Sequence, residues 1–286
     1  MNINEKIAQE LNIKLFQVEN TIKLIDEGNT IPFIARYRKE VTGNLSDETL
    51  REFGERLTYL RNLEERKEEV IRLIDEQGKL TDELKLAIEK CEIMSELEDL
   101  YRPYKQKKRT RATIAKEKGL EPLATIIYLQ SEKRPLEEIA REYINEEKGV
   151  ETIEDAIAGA KDIIAENISD NAEYRQKMKK ICYRESVITT KAAKEEKSPY
   201  EMYYDFSETI RTLPSHRILA INRGEKEEFL KVKIEKPDEK VLSLIEQDVI
   251  KDKNSQYAPI LTETIEDSYS RLIEPSVDRE IRSDLT

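Results

Sequence analysis

Apolar residues recur three or four apart over most of the chain. Gly, Pro and short polar residues punctuate them, so the pattern predicts helices joined by tight turns. Ile3, Ile7 and Leu11 mark a first helix, and Leu15, Val18, Ile22 and Ile25 a second that Gly28 can close in the left-handed conformation. Pro32 starts a third after Thr30 as cap, running through Phe33, Ile34 and Tyr37 toward Gly43. Ser46 then caps a long helix over about residues 47–77. Its Leu50, Phe53, Leu57, Leu60, Ile71 and Ile74 fall near a heptad seam, and Gly78 supplies the stop. At 1.5 Å per residue that helix spans about 46 Å, more than a compact domain needs to fill one core, which makes it a strut.

A turn over 78–81 leads into a helix with Leu84, Ala87, Ile88 and Cys91 on one face. Ser95 with Glu98 has the capping-box spacing for a short helix that Pro103 terminates. Further helices are predicted over about 122–130, 135–145, 153–167 and 170–184. The period then changes. Residues 186–190 are β-branched and short, 194–199 form a polar connection, and Leu230, Val232 and Ile234 alternate with Lys231, Lys233 and Glu235 as a half-buried strand. Residues 218–222 are expected to pair with that strand across Arg223, Gly224 and Glu225. Helices resume near Asp238, and the last, carrying Val277, Ile281 and Leu285, runs out without a cap, as in a chain cut from something longer. The expected fold class is mainly α: multi-helical, with one long central helix, a helix-turn-helix-like N-terminal part and a small β insertion near 186–235. Two regions are expected, 1–130 with the long helix and 131–286 with the β insertion.

Composition sharpens this picture. Hydrophobic and charged residues each make up 38% of the 286 residues, which suits helices with one apolar stripe and a charged outer face. The net charge of −11 argues against a chain that coats polyanions along its whole surface, so any nucleic-acid contact must be local. No apolar run reaches 18 residues, and the start, Met1-Asn2-Ile3-Asn4-Glu5, lacks the basic and apolar parts of a signal peptide. A cytoplasmic protein without a membrane partner is expected. Cys91 and Cys182 stand far apart in helical patterns and read as reduced, small core residues.

Candidate chemistry is sparse. His216 is the only histidine, no cysteine pair has ligand spacing, and there is neither a glycine-rich phosphate loop nor a Gly-x-Ser-x-Gly elbow. The abundant acids lie on expected solvated helical faces. The expectation is a non-enzyme, with no catalytic residue, metal, cofactor or small-molecule substrate, and a packing or capping role for His216 at the edge of the β insertion.

One stretch departs from the acidic trend. Between Arg102 and Lys118 eight basic residues face the single acid Glu117. Lys105, Lys107, Lys108, Arg109 and Arg111 form a candidate phosphate-contacting footprint, with Tyr104, and Tyr101 near it, placed to stack on unpaired bases. The same run also reads as a solvated loop, or as a patch that docks on acidic helices of the same protein. A weaker candidate is the helix, turn and basic helix over 24–39. At about 100° per residue Arg36 and Lys39 share a helical face and Arg38 points the other way, which favours a structural hairpin whose arginines bind neighbouring carboxylates over a groove-reading helix.

Longer strings carry a resemblance. Asn29-Thr30-Ile31-Pro32-Phe33-Ile34-Ala35-Arg36-Tyr37-Arg38-Lys39-Glu40 with Thr42-Gly43 resembles the N-terminal signature of the bacterial Tex family of transcription accessory proteins. Leu60-Arg61-Asn62-Leu63-Glu64-Glu65-Arg66, Glu76-Gln77-Gly78-Lys79-Leu80-Thr81, Leu97-Glu98-Asp99-Leu100-Tyr101 and Arg109-Thr110-Arg111-Ala112-Thr113-Ile114-Ala115 are similar to it as well. So are Gly119-Leu120-Glu121-Pro122-Leu123-Ala124, Tyr204-Asp205-Phe206-Ser207 and Pro214-Ser215-His216-Arg217-Ile218-Leu219-Ala220-Ile221-Asn222-Arg223-Gly224-Glu225. They cover nearly the whole chain in family order. The resemblance implies a longer protein that continues into an RNase H-like domain, helix-hairpin-helix elements and an OB-fold RNA-binding domain, linked to transcription and RNA metabolism and related to eukaryotic elongation factors that chaperone histones. It implies a catalytically silent RNase H-like domain and assigns no ligand residue here. The function expected is a non-catalytic N-terminal scaffold with auxiliary, sequence-independent binding of RNA or DNA, most of the nucleic-acid contact lying in the absent domains. The alternative is a pure protein-interaction module that docks through the long helix on RNA polymerase or ribosome-associated proteins.

Overall fold

The computed structural model describes residues 2–105, 109–194 and 196–285. The chain divides into two compact units between Tyr104 and Lys105. The first holds α1 (Ile3–Glu10), α2 (Leu15–Asp26), α3 (Ile31–Tyr37), the long α4 (Asp47–Asp75), α5 (Asp82–Lys90) and α6 (Met94–Tyr101), ending in a 3₁₀ turn, Arg102–Tyr104. The cap of α4 is the expected one: Ser46 Oγ accepts from the Thr49 N–H at 3.1 Å, and Asp47 and Glu48 meet the positive end of the helix dipole. Beyond its end Gly78 takes φ +65°, a conformation that glycine adopts without strain.

The 29 residues of α4 serve three small cores in succession. Leu50 packs with Leu24, Ile34, Ala35 and Leu45; Phe53, Leu57 and Leu60 pack with Ile7 and Val18; Leu63, Val70 and Ile74 pack with Ile88, Cys91, Leu97 and Tyr101. A strut longer than one core needs is thus used along its length. The seam carries a lysine. Lys67 is buried, and its ammonium donates to Glu64 at 2.8 Å and to the Glu89 carbonyl at 3.0 Å. Ile71, expected on the seam, is only half-buried, because Val70 takes the inward position.

Two caps differ from expectation. Thr30 stands at the N-cap of α3 but makes no side-chain cap bond. The helix α6 begins after Ile93 rather than Ser95. Glu98 is drawn off to Arg66 at 2.7 Å, and the Tyr59 hydroxyl accepts the Met94 N–H at 2.9 Å, so a tertiary contact does the work of the expected capping box.

The second unit contains α7 (Arg111–Glu117), α8 (Glu121–Leu129), α9 (Leu136–Arg141), α10 (Ile153–Asp170), α11 (Ala172–Glu185), β1 (Val187–Ala192), β2 (Asp205–Thr209), α12 (Ser215–Lys226), β3 (Leu230–Glu235), α13 (Asp238–Val249), α14 (Ala258–Asp267) and α15 (Glu274–Asp284). At its centre α10 buries Ala156, Ala160, Ile163, Ile164 and Ile168, and α7, α8 and α14 lie against it. Small residues permit that approach. A Cβ on Gly159 would fall 2.3 Å from Leu120 Cδ1. Although sequence assigned α7 and α8 to the first region, both pack here, on α10.

The sheet is antiparallel with order β2-β1-β3, and Thr189 pairs with both Ser207 and Lys233. Leu230 and Ile234 face the core while Lys231, Lys233 and Glu235 face water, as alternation predicts. Residues 218–222, expected as a strand, lie instead in α12. Ile218, Ile221 and Gly224 are its buried positions, three apart, and β1 takes the place beside β3. Helix α9 is also shorter than 135–145, because its end passes into a turn where Asn145 and Val150 bridge. Between α14 and α15 the chain stays helical through a π-helical turn, Ser268–Ile273. Pro275 follows one residue on, where it has no N–H to give an ordinary helical turn and its ring crowds the carbonyl four residues back. Among the described residues no helix is long and apolar enough to cross a membrane.

Candidate nucleic-acid interface

The basic stretch straddles the division between the units, and each side is described by itself. In the first unit Tyr104 closes the 3₁₀ turn; its ring packs against the core of Leu63, Val70 and Ile74, and its carbonyl accepts from Gln77 Nε2 at 2.9 Å. Tyr101 is buried, with the Arg66 guanidinium 5.3 Å over its ring. The burial that stabilises Tyr101 removes its face from any base.

In the second unit Lys105 is exposed, and the candidates Lys107 and Lys108 lie outside the described residues. Arg109 is also exposed, its side chain 73% open, with Glu117 at 3.5 Å as its ion-pair partner. An exposed pair at that distance contributes little and screens away with salt. Thr110 caps α7, accepting from the Thr113 N–H at 3.1 Å while the Thr113 hydroxyl accepts the Thr110 N–H at 2.7 Å. That reciprocal box fixes where the helix begins and so places Arg111 at its first position, exposed.

A cation at a helix N-terminus opposes the helix dipole, so the local helix does not account for Arg111. Its charge is felt by two carboxylates. The Arg271 hydrogen bond, with Arg111 adding its charge, holds Asp267 below the usual carboxylate range. Burial pushes Asp162 up against the opposing charges of Arg271 and Arg111. Elsewhere in the run Lys118 donates to the Gly149 carbonyl at 2.7 Å and Lys116 stands 3.8 Å from Glu121. The footprint therefore contracts to Lys105, Arg109 and Arg111 among the described residues.

The weaker candidate changes in kind. Helix α3 ends at Tyr37, and Arg38 has φ −131° and ψ 23°, so Lys39 lies beyond the helix and shares no helical face with Arg36. The expected binding of the arginines to neighbouring carboxylates is not found: among the described residues Arg36 and Arg38 form no ion pair, nor does exposed Lys39. Arg38 instead sits with its guanidinium 5.3 Å over the Phe33 ring. The packing or capping role expected of His216 is not found either: it stands exposed in the first turn of α12, a helix with no side-chain cap bond. The cysteines are buried as the pattern predicts, and desolvation pushes both thiols up to about 11. Among the described residues no three His, Cys, Asp or Glu side chains gather in a way that could hold a metal ion.

The arrangement is that of a multi-helical protein with local, exposed cationic elements on an acidic whole. Comparison with known families agrees with the strings read above: residues 1–75 match the Tex-like protein N-terminal domain, and residues 131–286 match the Tex central region-like family. The chain belongs to the Tex family. It is 49% identical over 288 residues to the uncharacterized protein YdcI of Bacillus subtilis (strain 168), covering 99% of this chain and 40% of that one. It is 42% identical over 243 residues to the transcriptional accessory protein Tex of Neisseria gonorrhoeae, covering 84% of this chain and 32% of that one. To the S1 RNA-binding domain-containing protein 1 of Homo sapiens it is 31% identical over 297 residues, covering 98% of this chain and 29% of the relative. The chain thus spans two fifths or less of the length of these relatives.

Proposed function

We propose that this chain is the non-catalytic helical scaffold of a cytoplasmic transcription accessory protein, and that it adds a sequence-independent nucleic-acid contact through Lys105, Arg109 and Arg111 together with Lys107 and Lys108. The observation that carries the reading is the wide exposure of Arg109 beside exposed Lys105 and Arg111, on a chain whose net charge is −11. Cations near a turn and a helix start track a phosphate backbone; they are not held in one register against base edges, so readout is of charge. The relatives named for a transcriptional accessory role and for an S1 RNA-binding domain support a setting in transcription and RNA metabolism. In this reading the RNase H-like, helix-hairpin-helix and OB-fold domains lie in the further length of the full protein and make most of the RNA contact.

The test is binding of the 286-residue chain to single-stranded RNA, single-stranded DNA and duplex DNA over a salt series. Engagement of three or four phosphates of a single strand gives a log-log slope of roughly −2 to −3. Replacing the five cations with Gln weakens binding alike for unrelated sequences and flattens the slope. Unchanged affinity with an unchanged slope overturns the reading.

A protein-docking role has one observation in its favour. A groove of about 810 Å³ runs along α4, floored by Ile25, Ile31, Pro32, Gly54 and Leu57 and edged by Arg51. Concave, mostly apolar surface of that size suits an apolar side chain from a partner such as RNA polymerase or a ribosome-associated protein. If the charge variants leave nucleic-acid binding intact, this becomes the preferred reading, and co-sedimentation with polymerase or ribosomes tests it.

A further inference from the structure

On α3, Ile34 and Ala35 are buried in the first unit, which turns the other side of the helix outward. Phe33 and Tyr37, one turn apart, share that outer side, with Arg36 about 60° round the axis from Phe33. Phe33 is 37% exposed and Tyr37 59% exposed, and their centroids lie 5.2 Å apart at a 48° tilt. The Arg38 guanidinium lies 5.3 Å over the Phe33 ring and also donates to the Tyr37 carbonyl at 3.1 Å. Arg36 and Lys39 extend the positive charge, exposed and without an ion pair among the described residues.

The charge decides what fits. Two adjacent rings left in water favour a flat or apolar partner, but cations on either side of them favour one that brings negative charge with each flat group. An unpaired nucleotide strand has that chemistry: bases stack on rings or on guanidinium planes, and phosphates meet Arg36, Arg38 and Lys39. A duplex does not, because its bases are already stacked and α3 stops before Lys39 can extend a basic row into a groove. We infer that Phe33 and Tyr37, with Arg36, Arg38 and Lys39, form a stacking platform for single-stranded nucleic acid. The inference rests on the nucleic-acid reading above but places a second contact of different chemistry in the other unit.

The experiment measures anisotropy of fluorescein-labelled oligo(U), oligo(dT) and an abasic deoxyribose-phosphate strand of equal length with the 286-residue chain. The double variant Phe33→Leu/Tyr37→Leu keeps aliphatic bulk and helix propensity while removing both rings. It is expected to bind the base-bearing strands roughly five-fold or more weakly, to bind the abasic strand as before, and to keep the salt slope. The reciprocal swap Phe33→Tyr/Tyr37→Phe restores binding. Arg36→Gln/Lys39→Gln flattens the slope on all three strands. Retention of full affinity by the Leu variant overturns the platform; if the five-cation variant still flattens the slope, the basic segment stands alone. Loss of self-association by the Leu variant with no change in strand binding also overturns it and assigns the rings to a protein contact. Should the Leu variant not fold, crosslinking of 4-thiouridine RNA to the unaltered chain decides, since crosslinks that avoid the peptide holding Phe33 and Tyr37 exclude stacking there.

Discussion

A Cβ added to Gly224 would lie 2.6 Å from Cδ1 of Leu230, so α12 and β3 meet with no room for a side chain between them. Gly224→Ala sets two effects against each other. Alanine improves helix propensity by about 1 kcal/mol. Overpacking against Leu230, with Tyr200 Cγ at 3.1 Å on the same side, costs about 1–3 kcal/mol. The second effect wins, and urea denaturation should show a net loss of about 1 kcal/mol.

The fully buried Arg175 of α11 donates to Glu280 of α15 at 2.7 Å and to the Ser276 hydroxyl at 3.1 Å. Glu280→Ala removes a carboxylate that the buried guanidinium and the Lys179 ammonium both meet, and a loss of about 3 kcal/mol is expected. Arg175→Met/Glu280→Leu should recover only part of that, because the apolar pair needs no charge compensation while Lys179, 2.6 Å from the Glu280 carboxylate, still loses that contact. Thermal unfolding of the two variants compares them directly.

Hydrogen bonding to Arg56 holds the Glu10 carboxyl below its ordinary 4.5, and the Arg56 and Lys6 charges act in the same direction, against burial. A carboxyl with a depressed folded value binds fewer protons folded than unfolded. Its contribution is therefore complete above about pH 5 and disappears as pH falls through the folded value. Glu10→Gln should flatten the acid limb of the stability profile and leave its neutral plateau pH-independent. An acid limb identical to that of the unaltered protein would remove Glu10 from the account.

Both cysteine thiols are pushed up to about 11 by burial, so thiolate is scarce at pH 8. A disulfide-exchange reagent added to the native protein at that pH should find no fast-reacting thiol, and two once the chain is unfolded. Rapid native labelling of Cys91 or Cys182 would show local opening of the core around it.

Ser46→Ala removes the acceptor for the Thr49 N–H, and a loss of about 1 kcal/mol is expected in the first unit. Ser95→Ala, which removes an expected cap that the structure does not use, should be near neutral. The pair of variants measures the difference between a cap read from sequence and a cap that forms.

What the sequence disclosed was local. The Ser46 cap, the Gly78 stop and the alternation of Leu230, Val232 and Ile234 are short-range signals, and each element they mark is present. What it hid depended on distant partners. Asp205–Thr209 has little strand character of its own and becomes a strand by pairing with β1. Residues 218–222 read as a strand because Gly224 resembled a turn, whereas that glycine serves the contact with Leu230. The candidate site divided likewise. Exposed Arg109 and Arg111 were visible as a charge run, but the carboxylates that feel the Arg111 charge, Asp162 and Asp267, lie on α10 and α14, over fifty residues away. The aromatic face of α3 went unread, because Phe33 and Tyr37 are set apart from Ile34 only by the burial of Ile34 and Ala35.

The π-helical turn at Ser268–Ile273 works as one residue of slack. Leu261, Ile265, Tyr269, Ile273, Val277 and Ile281, each four from the last, are all buried. In an unbroken α-helix a strict four-residue repeat creeps about 40° round the axis at each step, so a stripe this long would wind off the core. The wider turn absorbs part of that creep. A chain one residue shorter between Ser268 and Ile273 would revert to ordinary winding with its downstream stripe still facing inward. The same deletion inside α10 would swing every later side chain of that helix by about 100°, away from the partners it packs on.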